Sequence, residues 1–234
     1  MLHVDNSSLS PEPDPPPLLL EAVRCAEERH WEVVPGAWLV EDGGPAHCSC
    51  DDPRCALPGA HPVGADWGQL ASVGAETVRA WWTEHPEASI LLPTGRAFDV
   101  LDVPEVAGCL ALARMERMGL QLGPVVAVPA ARGRGGRRLH FLVLPGAVAK
   151  LPELLRQIGC TPGGLDLVAR GEGDWVVAPP SRFVGHAAAL WARPPTLMNR
   201  WLPDATELVS PLAYACRREP STVPPAQRAP AAVH

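Results

Sequence analysis

Lysine is almost missing from this chain: Lys150 stands alone against nineteen arginines in 234 residues. With so much alanine, glycine and proline, that balance fits a GC-rich coding sequence better than a function. Long apolar runs are missing too, so no segment qualifies as a membrane-spanning helix. The amino terminus lacks a basic-then-apolar signal pattern and is instead polar and proline-rich. The expectation is a soluble, cytoplasmic protein with no membrane partner. An excess of positive charge is likewise absent. At a net charge of -6 the chain has no general attraction for nucleic acid, and such binding has to come from a local patch. There is no internal repeat. What is present is a 47% hydrophobic content, enough for a real core in one substantial domain or one domain with a small satellite. Seven cysteines without a secretion signal point to metal or free thiols over disulfides.

Residues 1–17 carry PEPDPPP and almost nothing apolar, which predicts a disordered or extended tail. Leu18 to His30 places Leu19, Val23 and Ala26 at helical spacing, with Glu21, Glu27 and Glu28 outside. Trp31–Leu39 reads as a strand interrupted by Pro35-Gly36, and 41–64 as a loop. Ala75–His85 predicts a helix presenting Val78, Trp81 and Trp82. Pro104 suits the first turn of a further helix, because its missing N–H is not needed there. That helix runs to Met118 and is expected to bury Val106, Leu110, Ala113 and Met118. Val125–Val128 and Leu139–Leu144 read as strands joined by the basic loop AARGRGGRR, and Val148–Ile158 as a helix. Leu165–Val168 and Trp175–Ala178 read as short strands, and the segment after about 217 as disordered. Helices alternating with short strands indicate an α/β or α+β domain.

The stretch Ser89–Glu105, SILLPTGRAFDVLDVPE, organises the rest. It predicts two apolar strands, Ser89–Pro93 and Phe98–Val103, separated by the turn pair Thr94-Gly95. Asp99 and Asp102 lie in the second. A buried carboxylate costs several kcal/mol unless it is paired or metal-bound, so these acids mark a candidate site. Side chains alternate faces along a strand, so Asp102 shares a side with Phe98 and Val100 while Asp99 does not. Asp102 is the better candidate, and capping of a turn or helix is the competing reading for Asp99. Asp166 falls on a separate expected strand, and two acids from separate strands could bind divalent cations.

Three further groups could carry chemistry. Cys48, Cys50, Cys55 and His61, in HCSCDDPRCALPGAHP, form a ligand set suited to structural zinc, with His47 as the rival fourth ligand. The segment is too polar to fold without help, and a metal would supply that energy. The loop 130–138 offers Arg132, Arg134, Arg137 and Arg138 among glycines, as an anion-binding loop or as a solvated hairpin. His140 follows in the strand RLHFLV. Finally, LDLVARGEGDWVVAPPSRF brings Asp166, Arg170, Glu172, Asp174 and Ser181 around glycines and a Pro-Pro turn that can hold Ser181 toward a ligand.

In order along residues 18–205, these pieces resemble the N-terminal domain of the bifunctional DNA primase/polymerases, the Prim-Pol branch of the archaeo-eukaryotic primases. The resemblance rests on WEVVPG, the cysteine loop ending in PGAHP, Asp66-Trp67 ahead of Trp81-Trp82, LLPTGRAFDVLDV, GGRRLHF and RGEGDWVVAPPS. It implies a mixed α/β (α+β) primase fold with a sheet flanked by helices, a zinc-binding insertion at 47–62 and a Mg²⁺- or Mn²⁺-dependent nucleotidyl transferase site. It also implies nucleoside triphosphate and DNA as partners. Asp102 and Asp166 would be catalytic acids, and His140 a nearby catalytic group. Arg137, Arg138, Arg170 and Ser181 would hold phosphates.

The chain departs from the family in two places. The paired acids two apart on one strand read Asp102-Val103-Pro104 here, so the bridging carboxylate is missing. The histidine expected directly after G-G-x is Arg138, with His140 two residues on, roughly 7 Å along the same face. Two-metal catalysis holds its cations about 3.5–4 Å apart through such carboxylates, and losing one impairs it. The expected function is therefore a Prim-Pol-like domain that binds nucleotide or DNA with impaired catalysis. The rivals are an active DNA primase/polymerase and a zinc-organised interaction protein without nucleotide.

Overall fold

A computed structural model of the chain describes residues 17–130, 136–183, 187–199 and 201–219. The expected tails fall almost wholly on 1–16 and 220–234, and Arg132 and Arg134 fall on 131–135; all of these lie outside the described residues. In chain order the elements are α1 (Pro17–Arg29), β1 (Val34–Gly36), β2 (Leu39–Val40), β3 (His47–Cys48), α2 (Trp67–Leu70) and α3 (Ala75–Glu84). Then come β4 (Ser89–Pro93), β5 (Asp99–Pro104), α4 (Glu105–Arg117), β6 (Val125–Pro129), β7 (Arg137–Val143) and α5 (Ala147–Gln157). The last are β8 (Val168–Arg170), β9 (Trp175–Ala178), β10 (Leu190–Arg193) and α6 (Ala205–Arg218).

The strands build three sheets, ordered β1-β4-β9, β10-β6-β7-β5-β8 and β2-β3, and every described pairing is antiparallel. With helices gathered against these antiparallel sheets, the class is α+β, as the sequence predicts. The five-stranded sheet divides the core. Leu101, Val103, Leu139, Phe141 and Val143 face α4, α5 and α6, where Met115, Leu151, Leu155, Leu208 and Leu212 cover them. On the other face Val100, Val126, Val128 and Leu142 join Ile90, Leu91, Leu92, Trp82 and the buried residues of α1. The period-two alternation of β5 and β7 thus feeds two cores at once. Fully burying each such side chain contributes about 1.5–3 kcal/mol.

Several elements differ from expectation. The strands expected at Ser89–Pro93 and Phe98–Val103 form as β4 and β5, yet they belong to different sheets. Pro35-Gly36 does not interrupt a strand but lies within β1, which pairs with β4 alone, and an edge strand tolerates a proline. The strand expected at Leu165–Val168 is β8, three residues later in its start. Leu167 is instead committed to the core, and the register sets Val168 opposite Asp102 and Arg170 opposite Val100.

Helix α4 corrects the expected face. It buries Ala107, Gly108, Ala111 and Met115, while Val106, Leu110, Ala113 and Met118 are exposed. The chain passes from β5 into α4 at Pro104 with no loop, so the helix must lie close on the sheet. Small residues allow that approach: a Cβ at Gly108 would come within 2.8 Å of the Leu139 side chain.

Candidate functional site

Asp102 occupies the middle of β5, hydrogen-bonded on both sides, and its side chain is 1% exposed. A carboxylate so placed needs partners, and three neighbours supply them. Arg138 donates through Nε to Oδ1, with its NH2 group 3.4 Å from the Asp102 carbonyl. Arg170 donates Nε and NH2 to Oδ2 at 2.8 and 2.6 Å. His140 Nε2 lies 3.5 Å from Oδ2. The register explains the convergence. His140 stands directly across from Asp102 on β7, Arg138 two residues before it on the same face, and Arg170 two residues along on β8. Burial alone would raise the Asp102 carboxyl, but His140, Arg170 and Arg138 outweigh it and hold the group far below the usual carboxylate range.

Asp166 lies just before β8 and is gathered to the same point. Its two oxygens accept from Arg138 NH1 and NH2 at 3.2 and 3.0 Å, a bidentate fork. The two acids expected to meet therefore do so around one guanidinium. A third acid, Asp174, sits 3.6 Å from Arg170 NH1, and burial pushes its carboxyl up. The sequence reading groups it with Asp166 and Arg170, four residues after Arg170 in RGEGD, but assigns it no role. Burial pushes His140 down, so its imidazole is neutral at pH 7, and its Nδ1 has no hydrogen-bond partner among the described residues.

The other expected residues sit elsewhere. Asp99 points to the opposite face, as alternation requires, and its Oδ2 accepts from the amides of Gly146 and Ala147 at 2.8 Å each. It caps α5 rather than the helix that follows it. Arg137 spends NH2 on the carbonyls of Ala127 and Ala188 and lies 3.7 Å from Glu105. Ser181 is 1% exposed, and its Oγ accepts from the Ile90 amide at 2.8 Å. Arg138, expected on phosphate, rests on the two acids.

The cysteine loop closes into a separate centre. The β2–β3 hairpin delivers Cys48, and the ligand atoms of Cys48, Cys50, Cys55 and His61 lie within 4.8 Å of one another. Its local core is only Ala37 with the Cys48 and Cys55 side chains. His61 Nδ1 donates to the Pro62 carbonyl at 2.7 Å, which leaves Nε2, 3.3 Å from Cys48 Sγ, to face the thiols. Burial works to raise the Cys48 thiol, but His61 and the amides of Cys50 and Gly59 bring it down to about 6. His47, the rival ligand, is turned out, with Nε2 3.9 Å from Asp51. Three thiols and an imidazole at this spacing can hold a zinc ion.

A pair of catalytic divalent cations does not fit the acid cluster as it stands. Both oxygens of Asp102 and both of Asp166 are bound to guanidinium groups, and the next residue on that face of β5 is Pro104, whose side chain has no ligand atom to offer. No helix among the described residues is long and apolar enough to cross a membrane.

The chain matches no curated protein and no solved structure. A family model described as "Bifunctional DNA primase/polymerase, N-terminal" matches residues 22–205, which include both acids, the arginines that hold them and the whole cysteine centre. With well over half of its length matched, the chain belongs to the Prim-Pol family of DNA primase/polymerase N-terminal domains.

Proposed function

We propose that this Prim-Pol domain binds nucleoside triphosphate or DNA but polymerises poorly, with a structural zinc ion organising its cysteine loop. The observation that carries the reading is the state of the acids. Asp102 and Asp166 both rest on Arg138, and Pro104 stands where a bridging carboxylate is required. Nucleotide binding draws on the same residues, since a phosphate chain is an anion that can compete with a carboxylate for an arginine fork. Zinc belongs to the reading because the loop's own apolar core is too small to fold it.

Titration calorimetry with a nucleoside triphosphate, beside a primer synthesis and extension assay in Mn²⁺, tests the proposal. Measurable binding with incorporation at least about a hundredfold below what a repaired site supports, roughly 2.7 kcal/mol of transition-state stabilisation, is expected. The repaired site is Pro104→Asp with Arg138→His, which restores the paired acids and the histidine. Metal analysis should find near-stoichiometric zinc, lost in Cys55→Ser. Robust extension by the wild type, abolished by Asp102→Ala, would make the chain an active DNA primase/polymerase. Absence of any triphosphate or DNA binding would leave a zinc-organised interaction protein.

A further inference from the structure

The acid cluster is almost charge-balanced by its own chain. Asp102, Asp166 and Asp174 bring three negative charges, Arg138 and Arg170 bring two positive ones, and burial keeps His140 neutral. Arg138 is the hub. One flat guanidinium gives Nε to Asp102 and both terminal nitrogens to Asp166, and its side chain is only 13% exposed. The backbone fixes this arrangement, because the β5–β7 register holds Arg138 opposite Pro104 and facing the acids.

We propose that Arg138 is the resident cation of the site, a tethered guanidinium that takes the ligand oxygens of Asp102 and Asp166 and keeps divalent metal out. Tethering makes the competition unequal. A side chain on the neighbouring strand faces its partners at a high effective concentration, whereas a metal ion arrives from dilute solution. An ion that did enter would have to displace Arg138 from both carboxylates, with Arg170 still 2.6 Å from Asp102. A divalent charge would then lie beside two guanidinium groups in a largely buried cluster, where repulsion is poorly screened. The inference holds whether or not the chain binds nucleotide.

The test uses zinc-loaded protein titrated with Mn²⁺, with the free ion followed by electron paramagnetic resonance. The wild type and Asp166→Asn are expected to be indistinguishable, neither taking up Mn²⁺ at the acids. Arg138→Met, which keeps the bulk and removes the charge, is expected to gain one Mn²⁺ per chain and to bind it at least about tenfold more tightly. A wild-type protein that takes up one Mn²⁺ per chain and loses it in Asp166→Asn would overturn the proposal. So would a folded Arg138→Met variant that gains nothing. Should that variant not fold, the Nε–H resonance of Arg138 in the wild type decides. Its position unchanged in excess Mg²⁺ supports the inference, and a shift toward a free guanidinium sinks it. Because no nucleotide is present, failure here is separable from failure of triphosphate binding.

Discussion

His140 is 6% exposed, and burial pushes its imidazole below the ordinary histidine value although Asp102 lies 3.5 Å away. The folded chain therefore keeps His140 neutral where the unfolded chain would protonate it. Its contribution is full above about pH 6.5 and is lost as pH falls from there toward the lowered folded value, at up to about 1.4 kcal/mol per pH unit. Asp102 has the same dependence in a lower window. Its carboxyl is depressed, so its stabilisation is full above about pH 4 and is lost as pH falls below the unfolded value. Thermal melts from pH 8 to pH 3 should show two declines, the first removed by His140→Gln and the second by Asp102→Asn. A first decline that survives His140→Gln would assign it to another group. Asp102→Asn should also lower stability by about 3–5 kcal/mol at neutral pH, since it leaves two arginines short of a partner. The division of labour between the strand's two acids was legible, because strand alternation sends Asp99 and Asp102 to opposite faces whatever surrounds them. The partners were not legible. Arg138 and Arg170 lie 36 and 68 residues from Asp102, and only the pairing of strands brings them in.

Among the elements, β4, β5, β6 and α5 announce themselves by apolar run or helical spacing, and they form within a residue or so of expectation. Helix α4 shows where that reasoning stops. The sequence reading assigns Val106, Leu110, Ala113 and Met118 to the core, but a helix entered without a loop has no room for the large ones on its sheet face. It lies down on Gly108 and its alanines instead. Two methionines on α4 make the point measurable. Met115 is fully buried and Met118 is 59% exposed. Met115→Ala should cost about 2–5 kcal/mol, and Met118→Ala no more than about 0.5 kcal/mol. Equal losses in chemical denaturation would mean that the helix is turned the other way. The motif RGEGDWVVAPPS carries the resemblance most specifically, yet much of it serves architecture. Thr94 Oγ1 donates to the Gly171 carbonyl, and a Cβ on Gly95, at φ +93, would come within 2.4 Å of the Glu172 backbone. A specific motif marks a fold as readily as a reaction.

For the whole molecule, α6 is the longest element the sequence left unread, and the family match stops as it begins, at residue 205. Its interior Pro211 and its alanines disguise a helix that buries Ala205, Leu208, Val209, Leu212, Ala213, Ala215 and Cys216. These residues close the core formed with α4 and α5, so a chain cut after Pro203 should expose that face and fail to fold cooperatively. A cut after Glu219 should melt within a few degrees of the full chain in calorimetry. A cooperative, soluble 1–203 fragment would show that the sheet and the two other helices suffice. Class, order of elements and metal loop were readable because each rests on local pattern. The charge cluster and the final helix depend on contacts across the sheet that no window of sequence contains.

The edge strand β8 has a kinetic consequence. It is three half-buried residues long and pairs with β5 alone, too little ladder to stay closed by itself. Arg138 grips the segment just before it through Asp166, and Arg170 fastens its last residue to Asp102. Opening of this edge is therefore governed by ionic contacts as much as by the buried carbon of Leu167 and Ala169. The amides of Val168 to Arg170 should exchange with deuterium by a local event that quickens in Arg138→Met or Asp166→Asn, while those of β7 keep the protection of global unfolding.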